Sequence, residues 1–144
     1  MSTLTGDQPT QGIHSEQDLA DYFKPFAKKQ EEMLVGLEAE FFAVCNETGK
    51  AFPYEGEKGI HAILKALAKK FQYEPILENG NIIALRRPSN MITLEPGGQI
   101  ELSASPVSDI FEVEKQVIDF IAELKEVQED FGDFSWISVG MQPI

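Results

Sequence analysis

Four glutamates carry the chemistry that this sequence can do: Glu38 and Glu40 in Val35-Gly-Leu-Glu-Ala-Glu-Phe41, and Glu95 and Glu101 in Ile92-Thr-Leu-Glu-Pro-Gly-Gly-Gln-Ile-Glu-Leu-Ser103. In an extended segment, residues two apart share a face. Glu38 therefore stands beside Glu40, and Gln99, Glu101 and Ser103 line up opposite Ile100 and Leu102. Two carboxylates at that spacing lie about 6.6 Å apart along a strand. Such a pair can hold one hydrated Mg²⁺ or two neighbouring ions, with water and substrate phosphate oxygens filling the remaining positions. The plain alternative is a solvated sheet face, where Glu-x-Glu pairs are common. One pair alone favours that alternative; a second acidic stretch beside the Gly97-Gly98 bend tips the balance towards a metal site.

The other chemically capable residues are less well placed. Arg86 or Arg87 could clamp a substrate carboxylate or phosphate through a bidentate guanidinium, against the plainer role of a solvated edge charge. His14 and His61 have no partner at metal or triad spacing. Cys45 closes a strand next to a turn, where a cysteine serves more often as a small apolar residue than as a nucleophile. Neither Asn79-Gly80 nor Gly97-Gly98 matches a phosphate-binding loop. Trp136 and the phenylalanines read as core.

The elements that position the acids follow from periodicity. Ser15 caps a helix with Asp18 three residues later, and Pro25 kinks or divides it. The period changes to two over residues 31–44, which predicts a long strand carrying Glu38 and Glu40 on one face. A helix follows over residues 58–71, with Ile60, Ile63, Leu64, Leu67, Ala68 and Phe71 as its apolar stripe. Residues 73–78 and 81–87 make a hairpin around Asn79-Gly80, and residues 91–94 and 99–103 continue the meander. A helix capped by Ser108 or Asp109 runs to about Asp130 with a stripe of Ile110, Val113, Val117, Phe120, Ile121 and Leu124, and a last strand spans residues 134–141. Hairpins with inserted helices predict an α+β fold, a mostly antiparallel sheet with helices on one face. The other face then bears the row of acids, which is costly unless water or cations solvate it. Residues 1–14 read as a flexible lead-in and residues 15–144 as one domain or a piece of one.

Composition bounds the function class. The 144 residues carry 24 acidic and 12 basic side chains, a net charge of −12, which argues against a nucleic-acid footprint. One cysteine excludes an internal disulfide and points to a reducing cytoplasm, and no stretch approaches the ~18 apolar residues of a membrane span.

Gly36-Leu-Glu-Ala-Glu-Phe41, Glu78-Asn-Gly-Asn-Ile-Ile-Ala-Leu85, the string from Ile92 to Ser103, and Val139-Gly-Met-Gln-Pro143 together resemble the N-terminal part of glutamate–cysteine ligases of the plant and proteobacterial type. Leu-Glu-Pro-Gly-Gly-Gln-x-Glu-Leu-Ser is the specific part; Ala104 stands where that family often has Gly. The resemblance implies a glutamine-synthetase-like fold and ATP- and Mg²⁺-dependent joining of the glutamate γ-carboxylate to the cysteine amine through an acyl phosphate, the first step of glutathione synthesis. It implies metal roles for Glu38, Glu40, Glu95 and Glu101, and substrate or supporting roles for Gln99 and Ser103; Arg86 stands beside them as a candidate substrate contact on its residue type alone. Glutamate, cysteine and ATP are then the partners. Family members are longer, so the rest of the site is expected beyond Ile144 and the 144 residues alone are expected to be inactive. Another carboxylate–amine ligase of the superfamily, or a non-catalytic domain that kept the sheet, are the competing readings.

Overall fold

The computed structural model describes residues 12–141. Most of the expected lead-in, and the residues after Met141, lie outside them. The chain divides into two units, Met1–Met33 and Leu34–Ile144. In the first, α1 (Glu16–Phe23) starts where the Ser15 hydroxyl accepts the Asp18 N–H at 3.1 Å. Asp18 reaches back past the cap to accept the His14 N–H at 2.9 Å. Pro25 ends the α-helix rather than kinking it, because a proline fits the start of the 3₁₀ turn Lys24–Phe26. Phe23 and Phe26, expected in a core, are exposed and touch only Tyr22 among the described aromatic pairs.

The second unit is built from β1 (Glu38–Cys45), α2 (Ile60–Phe71), β2 (Glu74–Glu78), β3 (Asn81–Arg87), β4 (Asn90–Glu95), β5 (Gln99–Ala104), α3 (Ile110–Phe131) and β6 (Phe134–Ile137). The strands form one six-stranded sheet in the order β2-β3-β4-β5-β1-β6. Every pairing is antiparallel. The chain runs out through three consecutive hairpins, and β1 then sits between β5 and β6.

β1 is shorter than its sequence period suggests. Residues 30–32 form a 3₁₀ turn, and Val35 makes only an isolated bridge to Val107. The physical reason is partnership: β5 ends at Ala104, whose N–H reaches Leu37 O at 3.0 Å, so residues before Glu38 have no strand to pair with. The last strand is shorter too, ending at Ile137.

The core lies between one sheet face and the two long helices. Ile63, Leu64 and Leu67 of α2 and Phe120, Leu124 and Val127 of α3 are fully buried with Ile92, Ile100, Leu102 and Phe134 of the sheet. Each such side chain contributes roughly 1.5–3 kcal/mol. The buried stripe of α3 begins at Val113; Ile110 is 63% exposed and Phe111 76% exposed, against the expectation of core positions. A bulge at Ile83, where Ile76 pairs Ala84 but Leu77 pairs Ile82, explains why Ile82 and Leu85 both reach the core although they are three positions apart.

Candidate functional site

The face of the sheet away from the helices is laid out by register. Glu38 pairs with Ser103, and Ser103 with Met91, which pairs with Arg86. In the next row Glu40 stands directly opposite Glu101, which stands opposite Thr93. In the third, Glu95 is paired with Gln99. Side chains directly opposite on neighbouring antiparallel strands have Cβ atoms about 4.5–5.5 Å apart. The sequence thus places two half-buried carboxylates face to face at the centre of the sheet, an arrangement that costs energy in isolation.

What surrounds them is neutral. Glu40 Oε2 accepts the Gln99 Nε2–H at 2.9 Å. The second Nε2 proton of Gln99 goes to Val139 O at 3.1 Å, so this amide, only 7% exposed, has both donor hydrogens used. Glu101 Oε1 accepts the Ser103 hydroxyl at 2.8 Å and the Thr93 hydroxyl at 3.3 Å. Among the described residues no Lys, Arg or His forms a salt bridge with either carboxylate. The two acids are oriented and left with their charge.

The four expected metal-site glutamates are not gathered into one cluster. Among the described residues no three His, Cys, Asp or Glu groups stand close enough together to hold a metal ion. Glu40 and Glu101 form the pair; Glu38 lies one row away and exposed, and Glu95 one row away on the other side. The separation is the strand's own repeat: residues two apart stand nearly 7 Å apart along the strand.

Gln99 and Ser103 are brought to the acids as expected, but their protons orient carboxylates. What they offer a ligand is acceptor capacity. Arg86 does not join the site. It lies two strands from Ser103, roughly 10 Å away by strand spacing, and its Nη2 pairs with Glu74 Oε2 at 2.9 Å. Thr93 escaped the sequence reading, though alternation from Met91 to Glu95 carries the signal. Val139 O, which follows β6, had none.

Two pockets flank the rows. One of about 350 Å³ lies at the Glu38 and Ser103 end, beside Gly36 and Pro106. The other, of about 500 Å³, lies at the Glu95, Gly97 and Gly98 end.

The comparisons with known proteins bear on this same segment. The chain is 33% identical over 129 residues to "Glutamate--cysteine ligase, chloroplastic" of Medicago truncatula, an alignment covering 90% of this chain and 25% of that protein. It is 32% identical over 129 residues to "Glutamate--cysteine ligase A, chloroplastic" of Oryza sativa subsp. japonica, with the same coverage of each. The corresponding ligase of Nicotiana tabacum is 33% identical, covered over 24% of its length. The chain therefore spans about a quarter of these relatives. The expected cytoplasmic location is corrected by them, since their names place them in the chloroplast. One cysteine leaves no pair for a disulfide within these 144 residues, but that observation does not separate cytosol from the interior of an organelle. Among the described residues no helix is long and apolar enough to cross a membrane. Residues 34–144 match the family described as Glutamate-cysteine ligase family 2, a span that contains every strand of the sheet and all the acids of its open face, and the chain belongs to that family.

Proposed function

We propose that this chain supplies the acidic part of the active site of a glutamate–cysteine ligase, joining the glutamate γ-carboxylate to the cysteine amine with ATP as co-substrate, in a glutamine-synthetase-like fold. The observation that carries the reading is the facing pair Glu40 and Glu101, whose carboxylates receive only neutral hydrogen bonds. A hard divalent cation suits that donor set. Mg²⁺ retains several waters and takes one or two protein carboxylates plus substrate phosphates, so two facing glutamates suffice where a caged metal would need three or more ligands. Bound there, Mg²⁺ would offset phosphate charge as ATP activates the γ-carboxylate as an acyl phosphate.

The remaining residues position. Gln99 fixes Glu40 and, through Val139 O, ties the sheet to the segment after β6. Ser103 and Thr93 fix Glu101. Glu38, exposed in the adjoining row, is placed to contact water of the cation's shell, and the lone pairs of Gln99 and Ser103 to accept from substrate. This preorganisation is what a phosphoryl-activating site requires, since its catalysis is electrostatic and positional.

Mn²⁺ serves as a paramagnetic stand-in for the test. Loss of the free-ion resonance on adding the protein, deepened by ATP, is the expected result, with Glu40→Gln and Glu101→Gln each weakening retention at least tenfold. Grafting residues 34–141 into the matching segment of the Medicago truncatula ligase should preserve product formation that depends on ATP, glutamate and cysteine. Mn²⁺ retention no better than that of a Glu40→Gln/Glu101→Gln double variant sinks the proposal.

A further inference from the structure

The N-terminal unit carries an apolar face that the chemistry of the sheet does not use. Leu19, Tyr22 and Phe23 of α1 and Phe26 of the 3₁₀ turn after it recur three and four positions apart, the spacing that gathers side chains on one side of a helix. They are 44% to 68% exposed. The Tyr22 ring stands edge-on to Phe23 with centroids 5.3 Å apart and lies 5.8 Å from Phe26, so the rings form one patch. No residue of α1 is buried. An eight-residue helix is shorter than the roughly 12–15 residues below which isolated helices are marginal in water. Its stability therefore depends on covering that patch.

The charges beside the patch indicate what covers it. Glu16, Asp18 and Asp21 occupy the first half of the segment, and Lys24, Lys28 and Lys29 the second. In a chain of net charge −12 this stretch is balanced, three acids to three bases. Lys24 pairs with Asp21 at 2.5 Å, while Glu16, Asp18, Lys28 and Lys29 join no ion pair among the described residues.

A partner of one sign of charge would match half of this pattern and oppose the other half. The pattern does match its own reverse. A second copy running antiparallel sets Glu16 and Asp18 of one chain beside the lysines of the other, Leu19 against Phe26, and Tyr22 against Phe23. Parallel pairing would set acids on acids and lysines on lysines. We infer that two copies of this chain associate through antiparallel α1 segments, each covering the other's patch. Four side chains from each copy make a small interface, and small interfaces belong to transient complexes. The pairing is therefore weak and reversible, and it is independent of the ligase reading.

The experiment is sedimentation equilibrium of the full chain over a wide range of concentration. Expected is a monomer passing to a dimer and no further, with Phe23→Ser/Phe26→Ser weakening the dimer at least tenfold. Two charge reversals test the orientation: Glu16→Lys/Asp18→Lys makes the segment mostly basic, and Lys24→Glu/Lys28→Glu makes it mostly acidic. Each alone should dimerise more weakly than the unaltered chain, and an equal mixture of the two should form a heterodimer tighter than either homodimer. A monomer at every concentration overturns the proposal. So does a dimer that Phe23→Ser/Phe26→Ser leaves intact, because another face then joins the copies. Reversals that leave dimerisation unchanged overturn the antiparallel assignment. A chain that stays monomeric while the serine variant lowers its urea midpoint gives the patch an intramolecular cover and sinks the proposal as well. If the serine variant loses its amide dispersion and does not fold, the charge reversals, which alter no apolar side chain, decide.

Discussion

The two faces of the sheet each hold partly buried glutamates and treat them oppositely. On the helix side, Glu123 of α3 is paired with Arg87 Nη1 at 2.7 Å and accepts the Tyr73 hydroxyl at 2.8 Å. The Arg87 guanidinium lies 4.3 Å from the centre of the Tyr73 ring. That charge is answered by an opposite charge, and the triad pins the β2–β3 hairpin to α3. On the open side Glu40 and Glu101 face one another with only an amide and two hydroxyls for company. A fold that only needed stability would treat both alike. The difference teaches that the first cluster serves structure, while under the proposed function the second offers its charge to a ligand.

The largest expected effect breaks the compensated side. Arg87 and Glu123 side chains are 22% and 11% exposed, so Glu123→Ala leaves a poorly solvated guanidinium without its carboxylate and a buried phenol without its acceptor. A loss of about 3 kcal/mol in urea unfolding is expected. Replacing both members, Arg87→Met with Glu123→Leu, should restore most of it, because a well-packed apolar pair avoids desolvating two charges. A single substitution costing below about 1 kcal/mol would show that this face is held by its apolar core alone.

The same triad gives a pH dependence of intermediate size. Burial, and then donation to Glu123, raise the Tyr73 phenol pKa above its ordinary value of 10.0. The sign follows: above pH ~10 the unfolded chain releases this proton while the folded chain retains it, so the folded state binds more protons and stability falls as pH rises. The contribution is complete below pH ~10 and is lost above it, at up to about 1.4 kcal/mol per pH unit. Tyr73→Phe should flatten this part of the stability profile measured between pH 9 and 11. An unchanged slope in that variant would assign the alkaline loss to other groups.

How far the sequence discloses these two faces depends on how local the signal is. Ser15, Asp109, Asn79-Gly80 and Gly132 mark element ends because caps and left-handed turns are decided by a few neighbouring atoms. The acids of the open face were legible because alternation assigns a side of the sheet. Which acid stands opposite which was not, since register between β1 and β5 joins residues about sixty apart in sequence. The same limit hid the Arg87–Glu123 pair, 36 positions apart, and the bulge at Ile83 that turns Arg87 to the helices and Arg86 away from them. Ile110 fits the stripe by spacing, yet burial requires an opposing surface, and spacing within one helix does not report where that surface ends.

The smallest effect is the most discriminating because it has the opposite sign. Two like charges directly opposite across antiparallel strands destabilise by about 0.2–1 kcal/mol. Glu40→Gln should therefore raise stability by roughly 0.5 kcal/mol without divalent cations, since Gln can still accept the Gln99 proton. Glu101→Gln should do the same, retaining its bonds from Ser103 and Thr93. The double variant should gain no more than one single, because neutralising the first acid already removes the repulsion that the second would relieve. About 1 M salt, with a Debye length near 3 Å, should shrink the gain in the singles. A loss of stability in either single variant would mean that the carboxylates support the sheet as Glu123 does, and the contrast between the faces would collapse. A gain that vanishes on adding Mn²⁺, because the unaltered pair is then stabilised by the ion and the variants are not, ties the repulsion to the ligand for which it is kept.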